Sequence, residues 1–446
     1  MRRGLRVPVH RATTAHLCSV YPFQAEIGLG HRGVYLGTNL LTGGGGFAFD
    51  PFEAYQAGYV TNPNLLVAGE PGTGKSSFVK TFMARALAVF GAPRPDPHDR
   101  AGRPNGRWLA IADPKGEYAP LADSLGLPVV RLYPGGPSRI NPLDTGSVDG
   151  TDRREERLRR RTDLVAALLG QVLRRELTPV EDAALGWGVQ ALDDTGPVPT
   201  LGDVAALLRD PNPAMCDRAR LGRDALSRQL DPVVYALEKL LDRSLRGMFD
   251  GATTVDVDWN GRGIVLDLSV VHHDDEALRL VLLAATAWLQ NILARRDGPH
   301  RVQVLDEAWR LLGSERTTRY LQACWKLCRD YGVANIAVVH RISDLRAQAD
   351  DGTTTAKVSM GLLADTQTRV LFRQASDQLA EARRLLGLNA TETEVLGRLS
   401  RGRALWKVGG RSAIVQHHIG PAEREMCDTD TRMRTHTGPT IDARSI

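Results

Sequence analysis

The run GEPGTGKS at residues 69–76 constrains this chain more than any other eight residues in it. Its glycines let successive backbone N–H groups turn inward around a set of phosphates, and Lys75 adds a positive charge on a flexible stem. Such a loop works where it joins a strand to a helix, because the helix N-terminus must point at the anion. Both neighbours are present. LLVAG at 65–69 reads as a short apolar strand, and SFVKTFMARALAV at 77–89 carries apolar residues at helical spacing. The chain is thereby committed to an α/β fold with a phosphate-binding loop at the C-terminal end of a strand. Gly69, Glu70, Pro71, Gly72, Thr73, Gly74, Lys75, Ser76 and Ser77 are the expected contacts to a nucleoside triphosphate, and the Ser76 hydroxyl is the expected ligand for Mg2+.

A triphosphate site that turns over needs a carboxylate for the metal and a second one for water. VLDEAW at 304–309 supplies both, as an apolar strand that delivers Asp306 and Glu307 at its C-terminal end. Asp306 is expected to hold Mg2+ and Glu307 to orient and deprotonate the attacking water. WLAIAD at 108–113 reads as a neighbouring buried strand. At its mouth, Asp113, Lys115 and Glu117 of ADPKGEY allow either turn and helix-cap chemistry or a coupling role beside the phosphates. Phosphoryl transfer is helped by an added arginine, often from a neighbouring subunit, and Arg329 and Arg373 flank the expected sheet. His340 ends the strand expected at 335–340, where a polar group could sense the terminal phosphate. The candidate catalytic set is therefore Lys75, Glu307 and His340 with an arginine, Arg329 or Arg373.

The rest of the chain divides by pattern. Residues 1–60 read as a leader and a β-hairpin, 61–147 as the first part of the core, and 148–250 as an all-helical insertion. Residues 251–420 read as the second part of the core, closed by a hairpin at 404–415 turned at Gly409 and Gly410. The stretch 91–106, rich in Pro, Gly and Arg, reads as a loop. Within the insertion, Thr178, Pro179 and Glu181 form a capping-box sequence, and Leu164, Leu168 and Val172 share a helix face. Residues 421–446 are polar and aperiodic and are expected to be disordered.

Composition trims the functional options. Only seven of the 57 basic residues are lysine, a skew that looks like coding bias, so a net charge of +5 permits contact with DNA without demanding it. Five scattered cysteines without a CxxC pair fit a reducing compartment. Cys324 and Cys328 share a helix face, with no further metal ligands close in sequence. The longest apolar stretch, 280–293, is interrupted by Thr286, Gln290 and Asn291 and is too short to span a bilayer.

Together, GEPGTGKS, DPKGEY at 113–118, NPLD at 141–144, the helical insertion, DEAW at 306–309 and RDYG at 329–332 resemble the conjugative-transfer and type IV secretion ATPases of the VirB/TraC kind, within the FtsK/HerA superfamily. The resemblance covers about residues 33–420. It implies a RecA-like P-loop NTPase core with an inserted all-α subdomain, ATP and Mg2+ as ligands, and a homo-hexameric ring. That ring would be docked on the cytoplasmic face of a membrane-embedded secretion channel. By the same resemblance Lys75 and Ser76 match the Walker A ligands, Asp306 and Glu307 the Walker B pair, and Arg329 a position that acts across subunits. His340 stands where the family usually has glutamine. Relatives usually carry an extensive N-terminal docking domain, whereas a short stretch precedes the loop here. Three readings stay open: a secretion motor, a ring that translocates DNA, and a nucleotide-gated scaffold with little turnover.

Overall fold

The computed structural model describes residues 29–30, 32–41, 43–91, 94–95, 104–144, 152–294, 298–312, 315–326, 328–340 and 366–427. Its centre is an eleven-stranded sheet among these residues. Seven strands lie parallel in the order β11 (Thr368–Leu371), β3 (Leu65–Ala68), β10 (Val333–Val339), β9 (His300–Leu305), β6 (Arg107–Asp113), β8 (Gly263–Asp267) and β7 (Val129–Arg131). Strands β3, β6 and β10 are buried along their whole length, which is why they read as continuous apolar runs and not as alternating ones. The phosphate-loop strand β3 and the Asp-Glu strand β9 are separated by β10 alone, so three strand ends carrying the expected chemistry lie side by side.

Beyond β11 the sheet turns antiparallel. Strands β12 (Arg403–Val408) and β13 (Arg411–His417) form the closing hairpin, with Gly409 at a φ of 57° in the turn. The expected N-terminal hairpin, β1 (Val34–Asn39) and β2 (Gly45–Phe49), is not free-standing, because β1 pairs with β13 and extends the sheet. In the Pro/Gly/Arg-rich stretch, Arg94–Pro95 and Pro104–Asn105 form a two-residue antiparallel pair, β4 and β5. The residues between them lie outside the described set.

The helices of the insertion run from α4 (Asp152–Leu173) through α5 (Pro179–Asp194), α6 (Leu201–Arg209), α7 (Pro213–Ala219) and α8 (Arg223–Lys239), after α1 (Pro51–Gln56), α2 (Lys75–Phe90) and α3 (Ala119–Leu125) of the core. The capping box at α5 forms as read: Thr178 Oγ1 accepts from the Glu181 amide at 3.3 Å, and Glu181 Oε2 accepts from the Thr178 amide at 2.8 Å. The NPLD run ties insertion to core. Asn141 Nδ2 donates to Pro199 O at 2.9 Å, Asn291 Nδ2 donates to Pro142 O at 3.1 Å, and Arg161 Nε donates to Leu143 O at 2.8 Å.

Helix α9 (Asp275–Leu293) is long and apolar enough to cross a membrane by length and composition, yet 89% of its apolar window is buried inside the protein. Of the residues that interrupt its apolar run, Gln290 and Asn291 are hydrogen-bonded across to other segments: Gln290 Nε2 donates to Asn335 Oδ1 on β10 at 2.9 Å, and Asn335 Nδ2 donates to Asn64 Oδ1 at 3.0 Å. A partnered amide in the interior avoids most of the desolvation cost of an unpaired one. The segment from Pro421, expected to be disordered, begins instead with helical turns at Pro421–Glu423 and Arg424–Cys427, and its remainder, 428–446, lies outside the described residues. Met426 is buried there, and Arg85 of α2 pairs with Glu423 at 2.6 Å, so tertiary contacts supply order that the local sequence lacks.

Candidate nucleotide-hydrolysing site

The phosphate loop leaves β3 at Gly69 and enters α2 at Lys75. A side chain at Gly69 would place its Cβ 2.5 Å from the Phe372 Cβ, so the loop packs against the end of β11 only as glycine. Gly74 caps α2 at a φ of 114° with no side-chain bond, which leaves the first amides of the helix to an anion. Lys75 is buried. Its Nζ donates to the loop's own carbonyls, Gly69 O at 2.5 Å and Glu70 O at 2.9 Å. Burial pulls its pKa down to about 8 against the opposing pull of Asp306. An incoming phosphate would replace those carbonyl contacts with a stronger, charge-matched one.

Asp306 and Glu307 follow β9 directly and are both buried. Asp306 Oδ1 accepts from the Glu307 amide at 2.9 Å, and burial raises its pKa to about 6, opposed by Lys115. Glu307 adopts a φ of 55°, in the left-handed region that non-glycine residues enter at a cost. Its carboxylate is enclosed: Lys115 Nζ and His340 Nε2 contact Oε1, while Trp309 Nε1 donates to Oε2 at 2.8 Å and Arg310 Nε donates to it at 3.3 Å. Burial alone would raise this carboxyl, but the contacts from His340 and Lys115 outweigh it and hold the pKa far below the usual carboxylate range.

Ser76 opens α2 beside Lys75. Among the described residues no three His, Cys, Asp or Glu side chains converge as a metal site. Mg2+ keeps several non-protein ligands and is commonly held by one or two protein oxygens plus phosphates, so a hydroxyl and a buried carboxylate fit it, and Ser76 with Asp306 are the groups present.

The remaining expected residues are sorted by the sheet. Asp113 is structural: its carboxylate accepts from the amides of Lys115, Gly116, Glu117 and Tyr118 at 2.8–3.2 Å and builds the turn. Lys115 and Glu117, from the same turn, reach the site. Arg373 lies at the loop of its own chain, where its Nε is 3.4 Å from Glu70 Oε2. Arg329, on the short helix α11 (Cys328–Tyr331) that follows α10 (Glu315–Lys326), sits before the first residue of β10, whereas His340 sits after the last. A seven-residue strand separates them, roughly 23 Å at strand rise, so exposed Arg329 does not join the site of its own chain.

Sequence reading missed four residues that complete the walls. The cleft, about 520 Å³, is lined by the loop, Lys115, Glu117 and His340, and also by Arg401, Ile419, Arg424 and Cys427 from the C-terminal hairpin and the turns after it. Gly402 donates to Thr73 O at 2.9 Å, which brings Arg401 to the loop. No motif marks these positions, because they meet the loop only through the antiparallel wing. Cys328 is buried and its pKa is raised to about 11 by that burial, the state of a packed thiol.

No family model matches this sequence, and no curated protein matches it. Solved structures do match. VirB4 of Thermoanaerobacter pseudethanolicus superposes with a TM-score of 0.70 at 20% identity, over 90% of this chain and 100% of that one. The bacterial conjugative coupling protein TrwB matches at 0.53 and 15% identity, over 80% of this chain and 85% of that one. The plasmid coupling protein TrwB with the GTP analogue GDPNP matches at 0.52 and 16% identity, over 80% and 86%. The chain therefore has the RecA-like P-loop fold of VirB4 and the TrwB coupling protein, with the helical insertion that its motifs implied.

Proposed function

We propose that this chain is the subunit of an ATP-hydrolysing motor that energises assembly of, or transport through, a conjugation-type (type IV) secretion system. The observation that carries the reading is that Lys75 and Ser76, after β3, and Asp306 and Glu307, after β9, stand at strand ends separated by β10 alone, in the fold shared with VirB4. Lys75 and the free amides of α2 would bind the phosphates of ATP. Ser76 and Asp306 would hold Mg2+, which when bound supplies neutralising charge to the phosphate oxygens. Glu307 would orient the attacking water and take its proton.

Arg329, exposed before the N-terminal end of β10 and so at the opposite end of the strands from the loop, is available to a neighbouring subunit and not to its own site. That supports a ring in which each nucleotide is completed in trans, a homo-hexamer by likeness of fold. Such a ring would sit at the cytoplasmic face of a membrane and dock on channel components, with DNA or a DNA–protein complex as a further partner.

The test is the steady-state ATPase rate of the wild type and Glu307→Gln, with and without duplex DNA, alongside the mass of the assembled species. Glu307-dependent turnover in an oligomer, insensitive to duplex, supports the secretion motor. Strong stimulation by duplex would favour a DNA-translocating ring instead. Absence of Glu307-dependent turnover in the oligomer would leave a nucleotide-gated scaffold. Arg329→Ala should lower turnover in the assembled protein and leave nucleotide affinity of the dilute chain unchanged. An undiminished rate in the assembled variant would remove its role in trans.

A further inference from the structure

We propose that Lys115 is a positioning residue for Glu307: its ammonium clamps the carboxylate in the nucleotide-free protein and transfers to the terminal phosphate of a bound triphosphate, which releases Glu307 to hold water. The inference rests on the nucleotide reading above and deepens it.

The first ground is occupancy. An ionised carboxylate offers about four acceptor positions. Lys115 and His340 take those of Oε1, and Trp309 and Arg310 take those of Oε2. No position remains for water until a donor leaves. The second ground is which donor can leave. Trp309 and Arg310 belong to the same turn as Glu307, and Arg310 is tied at its other end to Asp275 at 2.5 Å. His340 and Lys115 both face the cleft that holds the phosphate loop, and of the two only Lys115 is a permanent cation on a long flexible stem. Its backbone does not need to move, because the Asp113 carboxylate holds the turn.

The third ground is a conflict in the hydrogen bonding itself. His340 Nε2 lies 2.8 Å from Lys115 Nζ and also contacts Glu307 Oε1. With that nitrogen donating to the carboxylate, as the filled Oε1 requires, its approach to the lysine sets one donor against another. Departure of Lys115 resolves this in favour of an Nε2–H donated to Glu307, which keeps the carboxylate aimed while opening one position for water. A terminal phosphate, carrying more negative charge than one carboxylate, is the group in this cleft able to draw the ammonium away.

The experiment compares binding of a non-hydrolysable ATP analogue and of ADP to the wild type, Lys115→Met and Lys115→Arg. A second readout is the emission of Trp309, taken as the difference from Trp309→Phe in each background. In the wild type the ATP analogue, and not ADP, should change Trp309 emission, because only the former frees its partner carboxylate. Lys115→Met should lose at least about tenfold of the preference for the ATP analogue over ADP, the worth of one charge-assisted contact, and its Trp309 emission should no longer distinguish the two. Lys115→Arg should restore part of both. Unchanged ADP affinity shows that Lys115→Met is folded, and Lys115→Gln is read the same way should the first variant not fold. If Lys115→Met keeps the wild-type preference and the wild-type Trp309 response, the switch is overturned while the nucleotide site stands. If the wild type binds neither nucleotide, the nucleotide reading falls and the switch falls with it.

Discussion

Two carboxylates, the buried Glu307 in the core and the half-buried Asp193 in the helical insertion, are each wrapped largely by cations, but the two wrappings are built differently. The cations on Asp193 come from one helix face. Arg154, Arg157 and Arg161 follow each other at spacings of three and four along α4, with contacts of 3.2, 3.2 and 2.5 Å to Asp193 at the end of α5. Arg161 is itself buried and also donates to Leu143 O, so this cluster is sealed into the seam that joins insertion and core. The groups on Glu307 come from three separate segments, and two of them, Lys115 and His340, open into the cleft. Similar electrostatics thus serve a fixed joint in one place and a releasable contact in the other.

The largest test of that contrast is on turnover. Glu307→Gln should reduce ATP hydrolysis about a thousandfold in steady-state assays, the loss expected of a general base, while leaving unfolding temperature close to wild type. Asp193→Asn should do the reverse. The next effect is on stability. Asp193→Ala leaves Arg161 buried without its carboxylate and should cost about 3 kcal/mol in denaturant unfolding. A loss near zero would mean that Arg161 finds solvent, and that the joint is no more fixed than the site.

The pH dependence sharpens the same point. Burial would raise the Asp193 carboxyl, but hydrogen bonds from Arg157 and Arg154 outweigh it and hold the group below its ordinary 3.8. A depressed folded-state pKa means that its stabilisation is present above 3.8 and is lost as pH falls through the folded value. Acid titration of unfolding free energy should show this loss in the wild type and not in Asp193→Ala.

The smallest expected effect concerns a third arrangement, a buried cation with no hydrogen-bond partner among the described residues. Lys80 of α2 is fully buried, 5.6 Å from the Tyr118 ring centroid, and burial lowers its pKa. The unfolded chain then binds the proton more tightly, so stability should rise with pH between the folded value and the ordinary 10.5. Lys80→Met should flatten that rise and add about 1–2 kcal/mol at neutral pH in denaturant melts. A destabilised Lys80→Met would show that the ammonium is partnered in solution.

The parts of the molecule that were legible in the sequence are those whose chemistry is local. A strand, a glycine loop and a helix in succession need only neighbouring residues to declare themselves, and so do the capping box at Thr178 and the Asp306-Glu307 strand end. The polar residues inside α9 were legible only as interruptions, because their meaning depends on Gln290 meeting Asn335 across the sheet. Helical turns at 421–427 had no periodic signal, since seven residues are too few to show one and their order comes from Glu423 and Met426 docking on the core.

The sequence by itself determined the α/β commitment, the phosphate loop around Lys75 and Ser76, and the identity of Asp306 and Glu307, since backbone conformation and residue chemistry at those positions are set within a few residues. Only the tertiary structure decided that Lys115 and His340 close on Glu307, that Arg329 lies at the opposite end of the strands from Lys75, and that Arg401 and Arg424 wall the cleft. Those facts depend on strand order, with β6, β9 and β10 side by side, and on the pairing of β12 with β11. Contacts between residues hundreds of positions apart leave no local pattern to read, because side-chain meeting is set by which strand ends the sheet places side by side.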